Sequence, residues 1–242
     1  MAVAPEATTS AAVHQPADTD PPPGGYQPTD RTIPSRSRER ASYDRAFVHA
    51  VLDEAWVCHL GFVRDGAPVV LPTLYARVGE RLYLHGSTGS RPLRGAGESA
   101  GLPVCVTVTL VDGIVLARSQ FHHSLNYRSV MVHGIARQVT DPAERATALD
   151  ALVDRVVPGR AQDARPANAR ELAATAVIHL DLEEVSAKTR TGEPADEPED
   201  LALPYWSGVL PLVTGYGTPV PAADLRAGIA PPPYVQRLVA ER

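Results

Sequence analysis

The densest cluster of anion-binding groups in the chain is LYLHGSTGSRPLR, Leu82–Arg94. Ser87, Thr88 and Ser90 supply hydroxyl donors, and Gly86 and Gly89 let the backbone bend and turn its N–H groups outward. Arg91 adds a forked cation suited to phosphate oxygens. Pro92 suits the first turn of a short helix whose leading N–H groups would point to the same place. Together these groups describe a site for a phosphate monoester. The stretch is neither a Walker A loop nor a dinucleotide G-x-G-x-x-G. An ordinary polar loop capping a helix has the same composition, so the loop's own residues leave both open.

A second set of reactive types is SQFHHSLNYRS, Ser119–Ser129. His122 and His123 are adjacent, so on a strand they would face opposite sides and at most one would line a pocket. That one could bind an anionic or nitro-bearing substrate or donate a proton; a surface or interface histidine fits equally. His85, just ahead of the glycine-rich bend, reads as a packed side chain, as do His59, His133 and His179. The two cysteines, Cys58 and Cys105, lie in apolar strand-like runs without C-x-x-C spacing. They read as small core residues, and no metal site is expected.

The elements that must position these groups are mostly strands. AWVCHLGFV and APVVLPTLYARV flank Arg64-Asp65-Gly66, a hairpin turn. ERLYLHG follows the tight connection Val78-Gly79. PVCVTVTLV alternates Val104, Val106, Val108 and Leu110 with Cys105, Thr107 and Thr109, and Asp112-Gly113 reads as a turn into IVLARSQ. YRSVMVHGIARQV and TAVIHLDLEEV are two more strand segments. Pro72 inside VVLPT implies an edge position or a bulge, because proline cannot donate to a ladder. One helix is expected over SYDRAFVHAVLDEA, with Ser42 as cap and Phe47, Val51, Leu52 and Ala55 on one face. A second starts at Asp141-Pro142-Ala143-Glu144 with a capping box and an apolar stripe of Leu149, Leu152, Val153 and Val156. A short third helix is expected near Asn168–Ala174.

The chain of 242 residues, 44% hydrophobic and with a net charge of −5, is long enough for one core plus tails. The absence of a basic excess argues against nucleic acid, and no apolar run is long enough to span a membrane. Residues 1–38, rich in Pro, Ala, Thr and Asp, read as a disordered or loosely docked tail. They do not read as a signal peptide, so a cytoplasmic location is expected. The domain spans 39–188, and 189–242 is an extended tail that docks through the patch LPYWSGVLPLV.

The order of these elements, with LYLHGSTGSR and NYRSVMVHG in combination, resembles the pyridoxamine 5′-phosphate oxidase-related, FMN-binding split-barrel superfamily. It is most similar to the nitroimidazole-resistance-like branch, over about Ser42 to Lys188. The resemblance implies a mainly β (α+β) fold: a six-stranded antiparallel split β-barrel with flanking helices. It also implies a homodimer with FMN at the subunit interface. Val70, Leu71, Pro72 and Thr73 would run along the flavin ring. Ser87, Thr88, Ser90 and Arg91 would hold its phosphate, and Tyr127, Arg128 and Ser129 would pass near the ring system. Arg128 near the ring edge would stabilise reduced flavin. Trp206 could close over the partner's flavin as a lid, or simply dock with Tyr205 on the barrel. The function implied is an FMN-dependent oxidoreductase, passing electrons from a reduced nicotinamide to a small-molecule acceptor such as a nitroaromatic or quinone. Catalytic residues stay unassigned, with His122, His123 and Arg128 as candidates. Alternatives on the same barrel are a non-catalytic flavin or haem carrier, with one of the paired histidines as an axial ligand, a deazaflavin-dependent reductase, and a pyridoxamine phosphate oxidase-like enzyme.

Overall fold

A computed structural model of the chain describes residues 23–240. Residues 1–22 of the N-terminal tail lie outside the described residues. The strands are β1 (Ala41–Ser42), β2 (Val57–Arg64), β3 (Ala67–Val78), β4 (Arg81–Ser87), β5 (Leu102–Leu116), β6 (Ser124–Gln138), β7 (Thr175–Asp181), β8 (Glu184–Arg190) and β9 (Gly208–Pro211). The helices are α1 (Arg45–Glu54), α2 (Arg91–Gly95), α3 (Pro142–Val156), α4 (Ala169–Ala174) and α5 (Pro233–Ala240). Every pairing is antiparallel. Six strands close on themselves in the order β6-β7-β4-β3-β2-β5, because β5 returns to pair with β6. β8 and β1 extend the sheet beyond β6, and β9 extends it beyond β5. The expected mainly β architecture with flanking helices is therefore present.

Alternation decides which side chains fill the ring. On β5, Val104, Val106 and Val108 are buried, and Cys58, Leu60 and Phe62 of β2 and Val130 and Val132 of β6 meet them. α1 plugs one end with Val48, Val51 and Leu52, all fully buried, worth about 1.5–3 kcal/mol each. The hydroxyl of Tyr75, also fully buried, donates to the Leu52 carbonyl at 2.5 Å and ties β3 to this plug. α3 lies outside the ring, where Ala148 and Leu152 are buried and Ala148 packs into a small second core with Tyr83, Val139 and Val177.

Some local expectations needed revision. Asp44, not Ser42, caps α1: its carboxylate accepts from the Phe47 N–H at 2.6 Å, while Ser42 pairs with Ala187 in β1. Asp112-Gly113 is not a turn. β5 runs straight through it with a bulge, Val111 opposite Tyr127 and Gly113 opposite Asn126. Burial switches parity there, from Val108 to Gly113 and Val115. The Asp65-Gly66 hairpin stands, with φ of 51° and 77° at its two residues. TAVIHLDLEEV is two strands, β7 and β8, with β8 running along the first part of β6.

Both flanking stretches lie on the barrel. Tyr26 and Thr32 are buried, Tyr26 N–H donates to the Tyr43 carbonyl at 2.9 Å, and the Arg45 guanidinium sits 4.4 Å over the Tyr26 ring. In the C-terminal stretch, β9 pairs with β5, and the Tyr234 hydroxyl on α5 donates to Asp163 at 2.6 Å. No described helix is long and apolar enough to cross a membrane.

Candidate functional site

β3 and β4 pair only from Tyr75/Leu84 to Val78/Arg81. Beyond Leu84, β4 stays with β7, while residues 67–74 of β3 stay with β2. The two strands thus part in a fork, leaving the 67–74 edge of β3 without a ladder partner among the described residues. A proline is tolerated on such an edge, which accounts for Pro72. Val70 and Leu71 are 61% and 39% exposed on it, Pro72 is exposed, and Thr73 is half-buried.

The opposite prong of the fork ends in the hydroxyl-rich bend. Ser87 closes β4; the Thr88 N–H donates to the Ala174 carbonyl at 3.0 Å, and the Ser90 N–H to the Ser87 carbonyl at 2.8 Å. The Gly89 N–H donates to the Ser87 hydroxyl at 3.1 Å. These bonds fold the bend into a fixed loop and leave Ser87, Thr88 and Gly89 exposed. Ser90 is the N-cap of α2 yet makes no side-chain cap, so its hydroxyl is not spent on its own helix. Arg91 opens α2; its side chain lies outside the described part of the structure.

Between the prongs, α3, α4 and the segment joining them wall a cleft of about 420 Å³. Leu74, His85, Leu149, Val153, Leu172 and Thr175 line it. His85, read from the sequence as packed, is an exposed side chain on the cleft wall, because it shares the outer face of β4 with Tyr83. Aliphatic side chains, one imidazole and the charged Asp150, Arg160 and Arg165 line the cleft, a mixture that suits a flat ring system with a polar tail.

The residues of β6 do not line this cleft. Arg128 forks onto two carboxylates: Nε and Nη2 reach Asp112 at 3.0 and 2.6 Å, and Nη1 and Nη2 reach Glu54 at 2.5 and 2.8 Å. These bonds hold its pKa above the usual guanidinium range despite partial burial. Ser129 donates to the Lys188 carbonyl at 3.1 Å, and Tyr127 lies opposite Val111 and Arg190. Asp112 and Glu54 were not singled out from the sequence: one was read as a turn residue, the other as the end of a helix.

His122 and His123 are not on a strand. His122 ends a 3-10 turn, Gln120–His122, and His123 follows it before β6. The His122 Nε2 is 3.5 Å from Glu197, and the His123 Nδ1 is 2.9 Å from the Ser119 carbonyl. The loop is held from the C-terminal stretch by Asp196, whose side chain is 2% exposed. Its carboxylate accepts from the Arg118 and Ser119 N–H groups at 2.8 and 3.4 Å, the Arg118 guanidinium at 2.9 Å and the Ser207 hydroxyl at 2.9 Å. Burial opposes that charge, but the donors outweigh it and lower the Asp196 pKa. Sequence patterns had no means of finding Asp196, which lies 78 residues from Arg118. Trp206 and Tyr205 stay 67% and 61% exposed beside it.

Cys58 is buried, which pushes its thiol pKa up to about 12; Cys105 is half-buried and also raised by burial. No cluster of metal-ligating side chains occurs among the described residues.

Residues 44–189 match a protein family described as Pyridoxamine 5′-phosphate oxidase. Among solved structures, the flavocytochrome Anf3 from Azotobacter vinelandii is 38% identical, with 88% of this chain and 98% of that one covered and a TM-score of 0.81. The FAD and heme binding protein from Mycobacterium smegmatis is 42% identical, covering 83% and 97%, with a TM-score of 0.78. A 5-nitroimidazole antibiotic resistance protein from Bacteroides thetaiotaomicron, 20% identical over 61% and 85% with a TM-score of 0.50, shares the fold. No curated protein matches.

Proposed function

The chain belongs to the pyridoxamine 5′-phosphate oxidase family, and from that premise we propose that it is a flavin- and haem-binding redox protein. The observation that carries the flavin half is the fork itself: β3 and β4 part beyond Tyr75/Leu84, one prong carries an unpaired edge and the other ends in a hydroxyl-rich bend, and Leu74 and His85 at the start of the two prongs line one cleft. The backbone of Val70–Thr73 offers donors and acceptors to the polar edge of a flat ring. The cleft wall of Leu74, Leu149 and Val153 supplies the apolar face. Ser87, Thr88, Ser90 and Arg91 hold the phosphate. The haem half is supported by two relatives of 38% and 42% identity, one a flavocytochrome and one a FAD and heme binding protein.

The flavin supplies hydride and single-electron transfer, and the haem single-electron transfer. The protein's part is to bind and orient. His85 would donate a hydrogen bond from the cleft wall to the bound ring, and α3 would shield it from water. A reduced nicotinamide is the proposed donor, and a nitroaromatic or quinone the proposed acceptor. FAD, the form bound by the 42% identical relative, is proposed over FMN; the bend would take the phosphate of either. The protein is proposed to act as a homodimer, since Val57, Val63 and Val70 project from the outer face of the β2–β3 hairpin at 49–66% exposure.

The test is an absorbance spectrum of the purified full chain, followed by chromatography of the flavin released on heating and by light scattering for mass. Flavin bands with a Soret band, released FAD and a dimer mass are the expected results. Released FMN would overturn the FAD assignment, a missing Soret band the haem assignment, and a colourless protein that fails to take up added flavin the whole proposal.

A further inference from the structure

The proposal that the chain binds haem leaves open which atom meets the iron. Resting on that proposal, we infer that the Nε2 of His123 is the iron ligand, presented at the edge of an apolar platform built from β6, β5 and β9.

The two neighbouring histidines differ in what they have left to offer. The His122 Nε2 faces Glu197 at 3.5 Å, and its ring is packed edge-on against Phe121 at 5.1 Å. The His123 ring is exposed, and its Nδ1 is 2.9 Å from the Ser119 carbonyl. A carbonyl accepts only, so that bond places the proton on Nδ1 and leaves the lone pair on Nε2 of an exposed ring. This is the tautomer a metal requires, fixed by the bond its other nitrogen makes. The carbonyl is itself held, because the Ser119 N–H donates to the buried carboxylate of Asp196. The order of support is therefore Asp196, then Ser119, then His123.

Register supplies the second observation. His123 has an extended backbone just ahead of β6 and stands two residues before Leu125, whose exposed face it adjoins. Leu125 pairs with Ile114, and Ile114 pairs with Leu210, so these three cross the sheet side by side on that face. Leu125 is 45% and Leu210 53% exposed. Two residues before Leu210, a Cβ at Gly208 would point the same way and would meet the Trp206 indole at 2.9 Å. The indole thus lies over Gly208 and continues the platform. An exposed imidazole beside three aliphatic side chains and a flat indole fits the edge of a porphyrin and its axial position. Trp206, read from the sequence as a flavin lid or a docking residue, is assigned here to the porphyrin face.

The experiment is hemin titration of the full-length protein and its His123→Ala, His122→Ala, Asp196→Asn and Trp206→Ala variants, read by Soret position, electron paramagnetic resonance and dissociation constant. Thermal melts and retained flavin absorbance confirm that each variant folds. His123→Ala is expected to lose the wild-type Soret band and spin state, and added imidazole to restore them in His123→Gly. His122→Ala is expected to keep both. Asp196→Asn is expected to weaken hemin binding by about 10–100-fold with the ligand set retained, the range for groups that orient a metal-bound histidine. A wild-type spectrum and affinity in folded His123→Ala overturns the ligand assignment alone. A Leu210→Asp variant that becomes monomeric while its Soret band is unchanged overturns the platform assignment, since a second copy would then cover that face. Wild-type protein that takes up no hemin overturns the haem proposal beneath it.

Discussion

Replacing Arg128 with Met separates two roles for this residue. Its guanidinium is spent on two forked ion pairs, to Asp112 in the β5 bulge and to Glu54 at the end of α1. The Arg128 side chain is 25% exposed, against 32% for Asp112 and 53% for Glu54. The Asp112 pair, partly screened from water, is worth about 1.5–3 kcal/mol. The Glu54 pair is more exposed and adds about 0.5–1 kcal/mol. Methionine keeps much of the apolar stem, so the loss should be about 2–4 kcal/mol. With a slope of about 2 kcal/mol per M, the urea midpoint should fall by about 1–2 M. Arg128→Lys keeps the charge but not the fork, and should recover less than half of the loss. The assay is urea unfolding followed by far-ultraviolet circular dichroism, with the flavin reduction potential measured on the same samples. If the residue is a staple between α1 and the bulge, the potential stays within about 15 mV of wild type. A wild-type urea midpoint, or a potential shifted by more than about 30 mV (about 1.4 kcal/mol for two electrons), would refute the staple and return Arg128 to the flavin ring.

The remaining predictions concern the bend and the N-terminal stretch. Arg91→Ala should weaken flavin binding by about 10–100-fold, from the loss of a charged hydrogen bond of about 1.5–3 kcal/mol, and Ser87→Ala by about fivefold. Fluorescence titration checks both, and wild-type affinity in Arg91→Ala would remove the phosphate from the bend. Burial and Arg77 hold His49 below its ordinary pKa. Burial opposes the charge on Glu80, but its bonds from Arg45 and Tyr26 hold it below the usual carboxylate range. Both folded values are depressed, so each contribution is complete above the unfolded pKa and declines as pH falls towards the folded one. The cluster around Tyr26 should therefore weaken in two steps, beginning below about pH 6.5 for the histidine and below about pH 4.3 for the carboxyl. Amide hydrogen exchange in residues 23–40 checks this, and protection that stays constant from pH 7 to pH 4 would contradict it.

Much of the fold was legible because it rests on neighbours a few residues apart. The alternation of Val104, Val106 and Val108, the Asp65-Gly66 hairpin and the Asp141 cap each depend on contacts within a turn or a pleat. The reading failed where two structures share one local chemistry. Asp-Gly suits a hairpin turn and a bulge equally. The choice at Asp112 was made by β6, which continues to pair on both sides of it. The hydroxyl-rich bend was visible as composition, but nothing local says that β3 and β4 part at Tyr75/Leu84 and leave an open edge opposite it.

By itself the sequence determined the strand order's raw material: which residues face inward, where the helices begin, and which short stretch is rich in anion-binding groups. These follow from period-two and period-3.6 burial and from backbone capping, which act over a few residues. Only the tertiary structure decided what those groups face. Closing β5 onto β6 set Arg128 on Asp112, and docking the C-terminal stretch brought Asp196 to Ser119 and exposed one nitrogen of His123. Contacts between residues far apart in the chain depend on ring closure and shared burial, and the free energy that selects them belongs to the whole sheet rather than to any segment of it.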